Sequence, residues 1–178
     1  MASPARWSTR LAAEIRRLLS GDRGSGLVEL ALAVPFLVVF LLGAVEASRA
    51  LGAEHRLSVL TREGANIASR GSSLGETLTV VLASGMDLSL GERGGVVATR
   101  IVVQGTTPVV EAQEASAGYE QRSLLGLPDS TVTALTGLDF DDGQSVYAVE
   151  IFLEYSEITP LPAFIGGFIG TLYERAIF

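Results

Sequence analysis

The chain reads as an α+β protein: a long N-terminal hydrophobic helix, transmembrane and then amphipathic, packed on a small antiparallel-sheet head. Three observations carry that expectation. Leu30 to Val45 are sixteen uncharged, mostly apolar residues in succession. Ala50, Ala53, Leu57, Leu60, Gly64 and Ile67 then recur at spacings of three and four, the stripe of a helix that packs on one side. Far downstream, Tyr147, Val149, Ile151, Leu153 and Tyr155 form one face of a strand, with Glu150 and Glu154 on the other.

Residues 1–24 form a basic leader. Leu11, Ile15, Leu18 and Leu19 share one helical face, with Arg10, Arg16 and Arg17 around the rest, an arrangement that can lie on an anionic inner leaflet. An ordinary basic leader with accidental periodicity accounts for the same residues. Ser20-Gly21-Asp22-Arg23-Gly24 should break that helix and leave an extended, protease-accessible strip.

Residues 25–46 are the expected transmembrane segment, long enough to cross roughly 30 Å of hydrocarbon. Pro35 lies inside it and predicts a kink or local melting over residues 31–35, because proline removes one backbone donor and crowds the preceding turn. Residues 47–70 continue the helix as an amphipathic stretch. Arg49, Arg56, Glu63 and Arg70 recur every seven residues at the edge of its stripe, where charges steer helix pairing. Gly71-Ser72-Ser73 should end it.

Residues 71–178 are the expected head, outside the cytoplasm. Leu74 to Ala83 reads as a helix stopped by Ser84-Gly85, and Gly91 to Gly95 as a turn-rich loop. Val96 to Val103 reads as a strand, with Val109-Val110 opening a partner after Thr106-Thr107-Pro108. Residues 113–143, punctuated by Gly118, Gly126, Pro128, Gly137 and Gly143, read as a long variable loop with one short element at Thr131 to Leu135. Val146 to Tyr155 is the clearest strand. Ile158 to Phe168 is apolar and broken by Pro and Gly, and Thr171 to Phe178 closes the chain as a strand.

Charge and composition narrow the function. Residues 1–24 hold five Arg against Glu14 and Asp22, a net of +3, whereas the remaining 154 residues carry −10. So acidic a body argues against nucleic acid, whose phosphates are met by cationic side chains. Arg10, Arg16, Arg17 and Arg23 precede the apolar span, while Arg49, Arg56 and Arg62 after it alternate with Glu46, Glu54 and Glu63. The positive-inside rule therefore places the N-terminus in the cytoplasm and the head outside. Cysteine is absent, which excludes disulfides, thiol catalysis and cysteine metal sites.

No constellation supports catalysis. His55 is the sole histidine and falls on the solvent side of the helix. Asp139, Asp141 and Asp142 lack the spaced ligands and closing bidentate Glu of a calcium loop. There is no nucleophile elbow or triad, and Gly91-Glu92-Arg93-Gly94-Gly95 lacks the Lys-Ser/Thr of a phosphate loop. The expectation is a non-enzyme with no cofactor, no metal and no small-molecule substrate.

Glu29 is the informative residue. A carboxylate costs about 2.5–3.5 kcal/mol at the centre of a membrane helix, and less near the interface. A cut after Gly24 would make Ser25 the first residue and Glu29 the fifth, which is the pattern of class III signal peptides: basic leader, Gly before the cut, Glu at the new fifth position, then an apolar helix.

Gly24-Ser25-Gly26-Leu27-Val28-Glu29-Leu30-Ala31-Leu32-Ala33-Val34-Pro35 resembles the opening of TadE/TadG-like pseudopilins of the tight-adherence (Tad) pilus machinery. Glu46, Arg49 and Arg62-Glu63-Gly64-Ala65 are similar to that family's next landmarks, so the resemblance covers residues 22–70. Tyr155 and Thr159-Pro160-Leu161 are similar to its closing Tyr and Thr-Pro-Leu. Leu30 stands where the family usually has an aromatic residue. The resemblance implies a minor pilin in the bacterial inner membrane, cut between Gly24 and Ser25 by a prepilin peptidase. Its partners would be that peptidase, other pilin or pseudopilin subunits, the pilus assembly platform and inner-membrane lipid. The new Ser25 amine would pair with the Glu29 carboxylate of the same or a neighbouring subunit, because an unpaired charge in an apolar layer is costly.

Two other readings remain open on the sequence. The first is a secreted or periplasmic binding domain whose ordinary signal peptide is cut after Val45-Glu46-Ala47. The second is a bitopic protein that is never cut and carries an adhesive or sensory head.

Overall fold

The computed structural model describes residues 22–160 and 170–178. The amphipathic segment at 8–20, and residues 161–168 of the apolar stretch that begins at Ile158, lie outside them. The chain divides into two compact units, residues 1–45 and 46–178.

The helix α1 spans Asp22–Ser69, 48 residues. It is the one described helix long and apolar enough to cross a membrane. In the first unit its apolar side chains are uncovered from Leu27 to Leu41, as Phe36 at 75% exposure illustrates. Two expectations change here. Asp22, Arg23 and Gly24 are helical instead of extended, since adding a turn to an existing helix costs far less than nucleating one. Residues 31–35 also stay helical through Pro35, so that turn does not melt.

In the second unit α1 buries Ala50, Leu57, Leu60, Thr61, Ala65 and Ala68. Ile67, expected in the stripe, is only half-buried. The expected seam had a period of 3.5, and a straight helix of 3.6 residues per turn drifts about 20° per heptad away from it. By the last two turns that drift has brought Ala65 and Ala68 inward. Gly71, at φ 103, ends the helix.

Ser73 then caps α2, Leu74–Ser84, through a capping box: the Glu76 N–H donates to Ser73 Oγ at 3.2 Å, and the Ser73 N–H donates to the Glu76 carboxylate at 3.0 Å. Gly64 lets α1 and α2 close together. A Cβ there would lie 2.6 Å from Val81 Cγ2. A short 3-10 turn, Met86–Leu88, leads to α3, Leu90–Arg93. The expected loop at 91–95 is thus a helical turn followed directly by a strand, because Gly94 already pairs with Leu153.

Four strands form one antiparallel sheet: β1 Gly94–Gln104, β2 Thr107–Ala115, β3 Ser145–Glu154 and β4 Thr171–Ile177, in the order β2-β1-β3-β4. The β1–β2 hairpin turns on Gly105, at φ 64. Val109-Val110 belongs to that partner strand, which runs on to Ala115. The helix-facing side of the sheet offers Val96, Ala98, Val149, Ile151 and Leu153, which join Leu57, Leu60 and Val81 in one core. Tyr147 was expected in that core but is half-buried and opposite Arg100.

The other side of the sheet is covered as well, which the sequence reading did not foresee. Residues 116–143 do not behave as a loose loop. Their Leu125, Val132 and Leu135 pack on Ile101, Val110, Val146 and Ala148 as a second core. Thr131 bridges to Val109, and a 3-10 turn follows at Thr133–Leu135. Tyr119 lies over Gly95, where a Cβ would come 2.1 Å from its ring, and stacks toward Phe152 at 5.9 Å between centroids.

Leu57 is fully buried where α1 meets the sheet. Leu57→Ala should lower head stability by about 2–5 kcal/mol. The four tyrosines at 119, 147, 155 and 173 all lie in the head, so thermal loss of their near-ultraviolet dichroism reads out the head within the full-length chain. An unchanged midpoint would contradict this packing.

Candidate functional site

Two constellations stand out, one in each unit. In the first, Gly24 and Ser25 lie in the opening turns of α1, with Glu29 one turn beyond Ser25. Glu29 is exposed and is the one charged residue of α1 between Gly26 and Val45. Four residues of helix rise about 6 Å, and residues i and i+4 share a face. An amine at the backbone nitrogen of residue 25 would therefore sit within reach of the carboxylate at 29. Pro35 lies six residues beyond Glu29 in the same helix.

The second constellation centres on Glu46, the first residue of the second unit. Its side chain is nearly inaccessible, at 3% exposure. A bare buried carboxylate would be strongly unfavourable, and here it is surrounded by donors. Tyr155 Oη donates to Oε1 at 2.8 Å, and the backbone N–H groups of Ile158 and Thr159 donate to Oε2 at 3.3 and 3.2 Å. Arg49, one turn on, approaches Oε1 at 3.5 Å. Burial, and then the carboxylate it donates to, push the Tyr155 phenol above its ordinary range, so Tyr155 stays a donor throughout the physiological range.

This arrangement gives the sequence landmarks a physical meaning. Glu46 and Arg49 lie just past the apolar run, and Tyr155 and Thr159 lie more than a hundred residues later. Hydrogen bonds join them into one latch that fastens the end of β3 and the following turn to α1. Leu161, the last of those landmarks, lies outside the described residues. In the sequence alone these residues stand out without a role. The available signal was a carboxylate directly after the apolar run, paired at long range with a Tyr and a Thr-Pro.

Glu150 was read onto the far face of its strand, where an uncovered sheet would leave it in water. It lies on that face but is fully buried, because residues 116–143 close over it. Ser123 Oγ, the Leu124 N–H at 2.9 Å and Tyr173 Oη at 2.8 Å donate to it. Burial and this acceptor push the Tyr173 phenol well up. The carboxylate pins the covering segment to the sheet.

The remaining candidates are structural or solvated. His55 is exposed. Asp142 accepts from the Gly105 N–H at 2.7 Å and so braces the β1–β2 turn. Among the described residues no group of three or more His, Cys, Asp or Glu is placed to hold a metal ion.

Residues 24–66 match the model of a protein family described as TadE-like protein. The match opens at Gly24 and takes in Glu29, Pro35, Glu46 and Arg49, so the resemblance read from the sequence holds over this segment. No curated protein and no solved structure matches the chain.

Proposed function

We propose that the chain is a minor pilin of a Tad-type pilus, anchored in the bacterial inner membrane by α1, with its N-terminus in the cytoplasm and residues 47–178 outside. A prepilin peptidase removes residues 1–24. The mature subunit then joins other pilins and the assembly platform through its apolar helix, with the Ser25 amine and the Glu29 carboxylate paired within or between subunits. The observation that carries this reading is the TadE-like match that opens at Gly24 with Glu29 five residues on.

The latch weighs against the ordinary signal peptide. A cut after Ala47 would remove Glu46 and leave Tyr155 Oη and two backbone N–H groups without their acceptor. N-terminal sequencing of membrane and sheared-pilus fractions decides among the three readings. Ser25 as first residue supports the pilin, Ser48 the signal peptide, and an intact leader the uncut anchor.

Two further results are expected. Gly24→Leu should leave full-length precursor in the membrane, because a bulky side chain obstructs close approach of the backbone to the peptidase; normal processing would remove Gly24 from the cut site. A reporter active only in the periplasm should work when fused at Phe178 and fail at Trp7, as the Arg bias requires. The reverse pattern would sink the topology and the pilin reading together.

A further inference from the structure

We infer that the first turn of α1 has to unwind before the chain can be cut, and that Gly26, the second residue beyond the scissile bond, sets how readily it does so. The inference rests on the proposed cut between Gly24 and Ser25 and concerns what controls its rate.

α1 begins at Asp22, so Gly24 and Ser25 are both helical. A helix is the wrong conformation for hydrolysis. Water must add to the Gly24 carbonyl carbon, leaving a carboxylate on Gly24, while the departing Ser25 nitrogen takes up a proton to become the amine. In an α-helix that carbonyl accepts from the N–H four residues on, here Val28, and the backbone coils at a radius of about 2.3 Å. A peptidase therefore cannot lay both flanks of the bond along its cleft. Extended backbone, at about 3.3 Å per residue in place of 1.5 Å, presents both flanks. Cutting draws on the molecules in which this turn is open, and its rate follows their share when opening is faster than cutting.

The sequence keeps this turn easy to open. From Asp22 to Val45, α1 holds Gly24, Gly26 and Gly43, and the first two flank Ser25. Glycine is the least favourable helix residue after proline, because it gives up the most backbone freedom. Helix ends fray, and from Leu27 to Val34 neither glycine nor proline interrupts the helix, so fraying from Asp22 meets firmer helix at Leu27.

Gly26 does not serve packing in the chain. A Cβ built on it meets nothing within 4 Å, and Gly26 is not among the positive-φ glycines. Alanine fits there and would hold the turn closed more firmly.

The test treats the full-length chain in detergent micelles with purified prepilin peptidase and follows the initial rate at which the Ser25 terminus appears. Gly26→Ala should slow cutting roughly fivefold, the scale of the helix-propensity difference between glycine and alanine. Amide hydrogen exchange over residues 26–28 should slow by a similar factor. Gly26→Asn separates unwinding from contact, because asparagine is larger than alanine yet a poorer helix former. It should be cut faster than Gly26→Ala and more slowly than wild type.

Cutting of Gly26→Ala at the wild-type rate would overturn the inference. So would slower cutting of Gly26→Asn than of Gly26→Ala, the order expected if the peptidase reads the size of residue 26. Wild type that yields no Ser25 terminus would refute the cut itself and this inference with it. A Ser25 terminus formed equally fast in all three chains refutes the unwinding step alone.

Discussion

Glu46→Ala should loosen the head by about 3 kcal/mol, because it strands a phenol and two backbone N–H groups that lose their buried acceptor, at roughly 1–3 kcal/mol for each unsatisfied group before local relaxation or entering water offsets part of the cost. In a unit of this size that is a fall of roughly 10 °C in the midpoint, read from the tyrosine dichroism of the full-length chain. The partners grade the effect. Tyr155→Phe removes one donor and leaves Glu46 with Ile158, Thr159 and Arg49, so its cost should be nearer 1 kcal/mol. Glu46→Gln keeps one acceptor oxygen in the same place and should fall between the two. A Glu46→Ala midpoint equal to wild type would mean that the latch adds nothing to head stability. It would also remove the physical argument against a cut after Ala47.

How much of this was readable in advance follows from what leaves a local trace. α1 declared itself through an apolar run and a stripe, and β3 through an apolar face from Tyr147 to Tyr155 with Glu150 and Glu154 on the other. The end of α1 was marked by Gly71-Ser72-Ser73. Each of these is a relation between residues fewer than eight apart. The second layer left no such trace. Residues 116–143 carry Leu125, Val132 and Leu135 at irregular intervals among Gly and Pro, so no period shows that they cover a sheet. Glu150 was placed on the correct face for the same reason that its burial was missed: alternation tells which side a residue takes, and says nothing of what lies over that side. Ile67 shows the converse error, since a heptad extended over three repeats picks a neighbour of the residues that a straight helix turns inward.

The site divides along the same line. The spacing of Gly24, Ser25 and Glu29 is local and could be read directly, and so could the abrupt change at Glu46 where the apolar run stops. The joining of Glu46 to Tyr155 and Thr159 spans more than a hundred residues. Only the resemblance to a known family set those residues side by side, and hydrogen bonding supplied the reason. Functional polar groups with long-range partners are thus legible from one sequence as anomalies, a carboxylate where hydrophobicity is expected, before their partners can be named.

The largest effect on assembly is expected at the other such anomaly, Glu29. Glu29→Gln removes a charge from an apolar helix, so membrane insertion should be unchanged or improved, and cutting at Gly24 should stay near normal because the scissile bond is intact. A plain anchor would then work as before. A pilin subunit would not. Its Ser25 amine would enter the apolar layer opposite an amide that keeps the carboxylate's shape without its charge, and a charge left unpaired in low dielectric opposes packing strongly. Removing one partner of a buried pair costs roughly 3–5 kcal/mol, which is a loss in association of roughly a hundredfold to several thousandfold. Co-purification of other pilus components from detergent-solubilised membranes should therefore fall to background for Glu29→Gln and for Glu29→Ala, with the mature Ser25 terminus present in both. Recovery equal to wild type in Glu29→Gln would make the carboxylate a bystander and return the chain to the anchor or signal-peptide readings. Lost recovery with an uncut leader would instead place Glu29 in peptidase recognition, so the terminus and the partners must be measured on the same preparation.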